Sequence, residues 1–162
     1  MDSDRLNKWL SLLANLGVVA GLVMLVIEIN QTNNLAKAEA AQNRSDQIME
    51  AQKDYALSEH LPGIVTKYRE NGIEALTAEE TSRYRSWELA RRSRMSAQYR
   101  QYLMGYLDQE TAERTVLDAA IGFASTWDDL GLETDGAKSS LDSLNSEFWQ
   151  EVQKARRLRS ID

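Results

Sequence analysis

From Trp9 to Ile27 the chain reads WLSLLANLGVVAGLVMLVI, 19 consecutive residues without a charge or a proline. A helix of that length spans about 28 Å, close to the ~30 Å hydrocarbon core of a bilayer. The pattern predicts an N-terminal tail over 1–8 and a transmembrane helix over 9–29. Beyond it the apolar positions thin out and recur at three- and four-residue steps, the spacing of amphipathic helices. Residues 30–61 are rich in Ala, Gln, Glu and Asn and contain no glycine or proline. This predicts one long juxtamembrane helix, closed by Leu61-Pro62-Gly63. Its stripe of Leu35, Ala38, Ala41, Ile48, Met49, Ala56, Leu57 and Leu61 rests largely on small residues, so it needs other helices or another subunit to cover it.

Residues 62–162 read as a helical domain. A short helix is expected over Ile64–Glu70, stopped by Asn71-Gly72. Thr77-Ala-Glu-Glu80 has the form of a capping box, which predicts a helix start there and a run to about Leu107. At 100° per residue Tyr84, Met95, Tyr99, Tyr102 and Tyr106 share one arc of that helix, with Trp87 on its border, and this arc marks the core-facing side. Glu88 falls inside the arc with Arg92 four residues on, the spacing of an ion pair. Asp108 or Thr111 then caps a helix over about Ala112–Trp127. Its Val116, Leu117, Ala120, Ile121, Phe123 and Ala124 make it the central core helix. A loop follows over 128–136, and a last helix over about Ser140–Leu158 sets Leu141, Leu144, Phe148, Val152 and Ala155 against the core. The expected fold is all-α: one N-terminal transmembrane helix followed by a small helical-bundle domain.

Within the apolar run Gly17 and Gly21 form G-x-x-x-G, flanked by Ala14 a turn earlier. Small residues four apart let two helix backbones approach closely, and in lipid that packing drives association. Asn15 adds an amide that finds its partner most readily on another helix. Ala14, Asn15, Gly17 and Gly21 are therefore the candidate transmembrane packing residues. A cleavable signal peptide is the competing reading, since Arg5 and Lys8 precede the run and Ala36-Lys37-Ala38 has the A-x-A form. The run exceeds the usual ~7 to 15 residues of such a segment and the A-x-A lies well past its end, so an uncleaved anchor is expected. Two positive charges precede the run, and Lys37 and Arg44 follow it, a balance that leaves the side of the domain undecided.

Charge sharpens the picture of the soluble part. The formal net charge is −6, which argues against nucleic acid as a partner, because that needs a basic surface to neutralise phosphates. The chain has no cysteine, which excludes disulfides, thiolate catalysis and cysteine-held metals. The helix opened by Thr77 carries Arg83, Arg85, Arg91, Arg92, Arg94 and Arg100 and no lysine. The flanking stretches reverse this, with ten acids against five bases over 28–80 and eleven against two over 104–153. Pairing of these guanidinium groups with neighbouring carboxylates is one reading. Capture of an anionic ligand by Arg91, Arg92 and Arg94 is the other.

Catalytic chemistry has little to stand on. The single histidine, His60, cannot build a His₃ zinc site or a di-iron bundle, and no nucleophile elbow accompanies it. The eight glycines are dispersed and form no phosphate loop. The loop acids Asp128, Asp129, Glu133 and Asp135 do not follow the EF-hand spacing. No enzyme, metal or cofactor is expected. The basic end Lys154-Ala-Arg-Arg-Leu-Arg159 suits a helix C-terminus and equally an anionic lipid surface.

Two stretches, Ile27-Glu-Ile-Asn-Gln-Thr-Asn33 after the apolar run and Gln98-Tyr-Arg-Gln-Tyr-Leu-Met-Gly-Tyr-Leu-Asp108, carry a family likeness. The chain resembles a group of uncharacterised small single-pass membrane-anchored helical proteins of proteobacteria. That resemblance implies an anchor and a helical domain in the bacterial inner membrane, and brings no activity or site residues with it. The expected function is non-enzymatic: a single-pass membrane protein, in contact with membrane lipid, acting as a homo-oligomeric scaffold or as an accessory among other membrane-protein subunits. The alternative is a membrane-anchored sensor that binds an anionic small molecule through the Arg/Tyr-rich helix.

Overall fold

The computed structural model of the chain describes residues 3–132 and 140–159, and their side chains except at 5, 140–146 and 159. The described residues are all-α, with no strand among them. They divide into two compact units, Met1–Ala40 and Ala41–Asp162. The first helix, α1 (Ser3–Leu57), is a single run of 55 residues that contributes to both. It is long and apolar enough to cross a membrane, and its most apolar window has no buried residue.

The stretches expected as transmembrane and juxtamembrane helices are thus one helix, and it ends at Leu57, before the Leu61-Pro62-Gly63 stop read from the sequence. Ser58 makes the break, its hydroxyl accepting the Leu61 N–H at 3.1 Å. Pro62 instead lies in the first turn of α2 (Leu61–Asn71). Proline is tolerated there because the N–H it lacks would have no partner in a first turn.

After a 3₁₀ turn at Ile73–Ala75, α3 (Ala78–Leu103) opens on the expected capping box. The Glu80 N–H reaches the Thr77 hydroxyl at 3.2 Å, and the Glu80 carboxylate accepts the Thr77 N–H at 2.7 Å. The same carboxylate meets Lys67 Nζ at 2.7 Å, which ties α2 to the head of α3. These contacts hold the Glu80 carboxyl below its ordinary pKa. α3 stops at Leu103, four residues short of expectation, because Gly105 takes a left-handed turn at φ +76°. The Gly105 N–H returns to the Tyr102 carbonyl and the Tyr106 N–H to that of Gln101, satisfying the last free carbonyls. Tyr106 thereby leaves the aromatic arc and is solvent-exposed.

Asp108 caps the next run by accepting the Thr111 N–H at 2.8 Å. That run is α4 (Gln109–Thr111), a π-helical segment (Ala112–Leu117) and α5 (Asp118–Asp129) in direct succession. α5 closes as α3 does, with Gly131 at φ +64°, and the Leu132 N–H returns to the Trp127 carbonyl at 2.8 Å. Trp127 and Leu132, both fully buried, form the apolar contact that accompanies such an ending. The last helix is α6 (Ser140–Arg159).

The core lies where α3, the π segment, α5 and α6 meet. Val116, Ala120 and Ala124 form a fully buried stripe at four-residue steps, facing α6, whose Phe148 and Val152 are equally buried. Around this stripe large rings from α3, α5 and α6 fill the core. Tyr99 and Phe148 lie 5.7 Å apart, Trp127 and Trp149 5.9 Å. Leu117, Ile121 and Phe123, expected in the core, are half-buried at its edge. Leu141 and Leu144 lie outside the described side chains.

Two substitutions separate core from cap. Phe148→Ala should cost about 3–5 kcal/mol by emptying a buried ring site, and Thr77→Ala about 1 kcal/mol by unsatisfying one backbone N–H. Urea unfolding of the full chain in detergent, followed by tryptophan fluorescence, measures both; equal losses would contradict the core described here.

Candidate functional site

The second unit holds a cleft of about 700 Å³, within the ~300–1,000 Å³ range of small-molecule sites. Residues 48–55 of α1 form one wall, α2 and α3 a second, and the π segment with α5 a third. Rings dominate its lining. Tyr55 lies 5.9 Å from Trp87, and Tyr68 lies 5.1 Å from Tyr84. The Tyr68 hydroxyl donates to Asp129 at 2.7 Å, a bond that joins α2 to α5 at one end of the cleft. Burial is the main cause of the raised pKa at Tyr68 and Tyr84, so both phenols stay protonated donors.

At the base sits Glu88, with no solvent exposure. Its Oε2 accepts the Trp127 indole N–H at 3.1 Å. Its Oε1 lies 2.9 Å from Arg91 but has no aligned hydrogen bond, so that contact is charge attraction alone. Burial pushes the Glu88 carboxyl up, while the Arg91 charge and the Trp127 N–H pull it back. The ion pair expected between Glu88 and Arg92 is therefore made with Arg91, one residue earlier. Arg91 is further held by rings, its guanidinium carbon 4.1 Å from the Phe123 centroid and 5.9 Å from that of Trp87.

The three candidate arginines separate. Arg91 and Arg94 line the cleft. Arg92 turns the other way, donating to the Leu132 carbonyl with its guanidinium 5.3 Å from the Trp149 ring, where it secures the end of α5. Arg85 makes a parallel contact, donating to the Leu130 carbonyl at 3.2 Å. Arg83 pairs with Glu79 of its own helix at 2.8 Å. Among the described residues, main-chain carbonyls take up Arg85 and Arg92, and acids of α3 itself take up Arg83 and Arg91.

Arg94 differs from all of these. It is half-buried, and among the described residues it makes no ion pair and no hydrogen bond; its one direct partner is the Trp87 ring, 5.7 Å away. Burial first, and then the Arg91 charge, lower its pKa, while Glu88 and Asp54 act at longer range to raise it. Beside it the Trp87 indole N–H is buried and has no acceptor among the described residues. Arg94 therefore borders the cavity as a cation without a contact acid, an arrangement that attracts an oxygen acceptor carrying negative charge.

Trp87 was legible as the border of the aromatic arc, but Phe123, Tyr68, Tyr55 and Ile48 belong to other helices and nothing in their local spacing assigned them to a common site. Ala14, Asn15, Gly17 and Gly21 lie in the first unit. Around Gly17 and Gly21 a Cβ would meet nothing within 4 Å. Of the loop acids, Asp128 pairs with Arg156 at 2.6 Å and Asp129 accepts from Tyr68; Glu133 and Asp135 lie outside the described residues. No family model, no curated protein and no solved structure matches the chain.

The buried carboxyl gives a signed pH effect. The pKa of Glu88 is raised in the folded state, so its contribution to stability is complete below the unfolded value of ~4.3 and is lost as pH rises through the folded value. In urea unfolding at pH 4.5 and pH 7, the stability difference between wild type and Glu88→Gln should move in favour of the variant at the higher pH. A difference independent of pH, or moving the other way, would contradict the placement of Glu88.

Proposed function

We propose that this protein is a membrane-anchored sensor that binds an anionic small molecule in the cleft between residues 48–55 of α1 and the body of the domain. Arg94 is the observation that carries this reading. A guanidinium drawn out of water without a carboxylate in contact is costly, and such a group persists where a ligand supplies the missing charge. The apolar run of α1 supports the anchor, as a single-pass span of a bacterial inner membrane. The resemblance to small anchored proteins of proteobacteria points to the same place. No constellation at the cleft suggests covalent chemistry, and the reading is one of binding rather than catalysis.

Thermal unfolding of the full chain in nanodiscs tests it. A ligand that binds only the folded state raises the midpoint, so benzoate, decanoate or citrate should raise it where the matching cation, choline, does not. Arg94→Met should abolish the shift. Arg92→Met should lower the midpoint without ligand, by loosening the end of α5, yet leave the shift in place. A midpoint unmoved by any of these anions would overturn the reading.

Self-assembly is the second reading, and the four-residue spacing of Gly17 and Gly21 within the apolar run supports it. A face of α1 free of covering side chains suits close approach by a second copy or by a helix of a larger membrane complex. Leucine at both Gly17 and Gly21 should lower the oligomer mass seen by native mass spectrometry of the full chain. An unchanged mass would remove the glycine-mediated contact.

A further inference from the structure

The cleft carries information about its ligand beyond the sign of the charge. Its charged groups are Arg69, Glu88, Arg91 and Arg94. Glu88 and Arg91 neutralise each other at 2.9 Å, and Arg69 is solvent-exposed, so Arg94 is the one desolvated charge left without a contact partner. Asp54 influences Arg94 at longer range and, with Glu50, lines a smaller neighbouring recess that Arg94 also borders. Gln52, Gln98, Thr115 and Thr126 add neutral polar groups, and the remainder of the lining is apolar or aromatic, with Ile48, Val65, Met95 and Phe123 on different walls. One of those walls is poorly covered. Ile48 of α1 is still 47% exposed although it lines the cavity, and direct packing of residues 41–57 on α3 is sparse. The contacts that bridge them include the Tyr55–Trp87 rings and the Arg44–Gln101 bond at 2.7 Å.

A small, wholly polar anion would satisfy Arg94 and leave this apolar volume unfilled. We infer that the cleft takes an anionic amphiphile, whose acidic head meets Arg94 beside the Trp87 ring and whose apolar body fills the space between Ile48 of α1 and Met95 and Phe123. The inference rests on the sensor reading above and narrows its ligand. Burying the body removes apolar area of both partners from water, which supplies most of the affinity, and Arg94 fixes the orientation. The same body completes the packing between α1 and α3, so occupancy stiffens the attachment of the anchor helix to the domain.

The Trp87 indole N–H gives a direct readout. The ¹⁵N-labelled full chain in phosphatidylcholine nanodiscs shows one indole resonance per tryptophan, and Trp87→Phe assigns the relevant one. Decanoate should move that resonance saturably, with acetate and decan-1-ol at least about tenfold weaker, the scale of one charged hydrogen bond. Arg94→Met should weaken decanoate by a similar factor. Asp54→Asn, which removes a competing charge at an exposed site, should tighten it. Discs containing phosphatidylglycerol distinguish the source: a resonance already displaced without decanoate identifies a bilayer lipid as the amphiphile, and an undisplaced one a free acid. Decan-1-ol binding as well as decanoate would overturn the acidic head, and acetate binding as well would overturn the apolar body; either leaves a ligand site in place. A Trp87 resonance that none of the probes moves would overturn both this inference and the sensor reading.

Discussion

A carboxylate with no access to water organises the second unit. Removing Glu88 from solvent is expensive, and the cost is offset only because Trp127 donates to one oxygen and Arg91 faces the other. Those two partners come from different directions. Trp127 locks α5 onto α3, while Arg91 is drawn along its own helix and pressed onto Phe123. With Glu88 committed to Arg91, the next arginine on that face, Arg94, has only an aromatic ring beside it. The same interaction that fixes the helix packing therefore leaves a desolvated cation at the cleft.

The arginine-rich helix divides its charges between two tasks by geometry. Arg85 and Arg92 secure carbonyls in the turn that ends α5, where the positive φ of Gly131 exposes oxygens needing donors. Arg91 and Arg94 lie on the other side of the helix, among rings that can hold a guanidinium without a counter-ion. A lysine at either site would lose the flat stacking surface and the spread of donors that make both tasks possible. That accounts for arginine, not lysine, at four of the six arginine positions of the helix.

α1 links the two proposed roles because a single helix carries both the apolar run and one wall of the cleft. Its second half has few large apolar residues, so it cannot seal itself against the domain, and the volume left beside it is the proposed ligand site. A fuller stripe would have closed the cleft and left only a bundle. The weak packing that looks like a deficit in the sequence is the property a ligand can exploit.

What the sequence determined by itself is local. A charge-free run predicts a long apolar helix, Thr77 and Glu80 predict the start of α3, Asp108 predicts the start of α4, and four-residue spacing predicts the buried face of Val116, Ala120 and Ala124. Each rests on contacts within one or two turns, which neighbouring residues are enough to specify. Some local signals had more than one local outcome: Pro62 opened a helix instead of ending one, and Gly105 stopped α3 before Leu107. Glu88 could reach Arg91 or Arg92 on spacing alone, and the position of Trp127 and Phe123, some forty residues away in the chain, decided for Arg91. The cleft was illegible for the same reason. Its walls come from five segments whose side chains share no period, and only the packing of helices in space brings Arg94, the Trp87 ring and a partly apolar volume together.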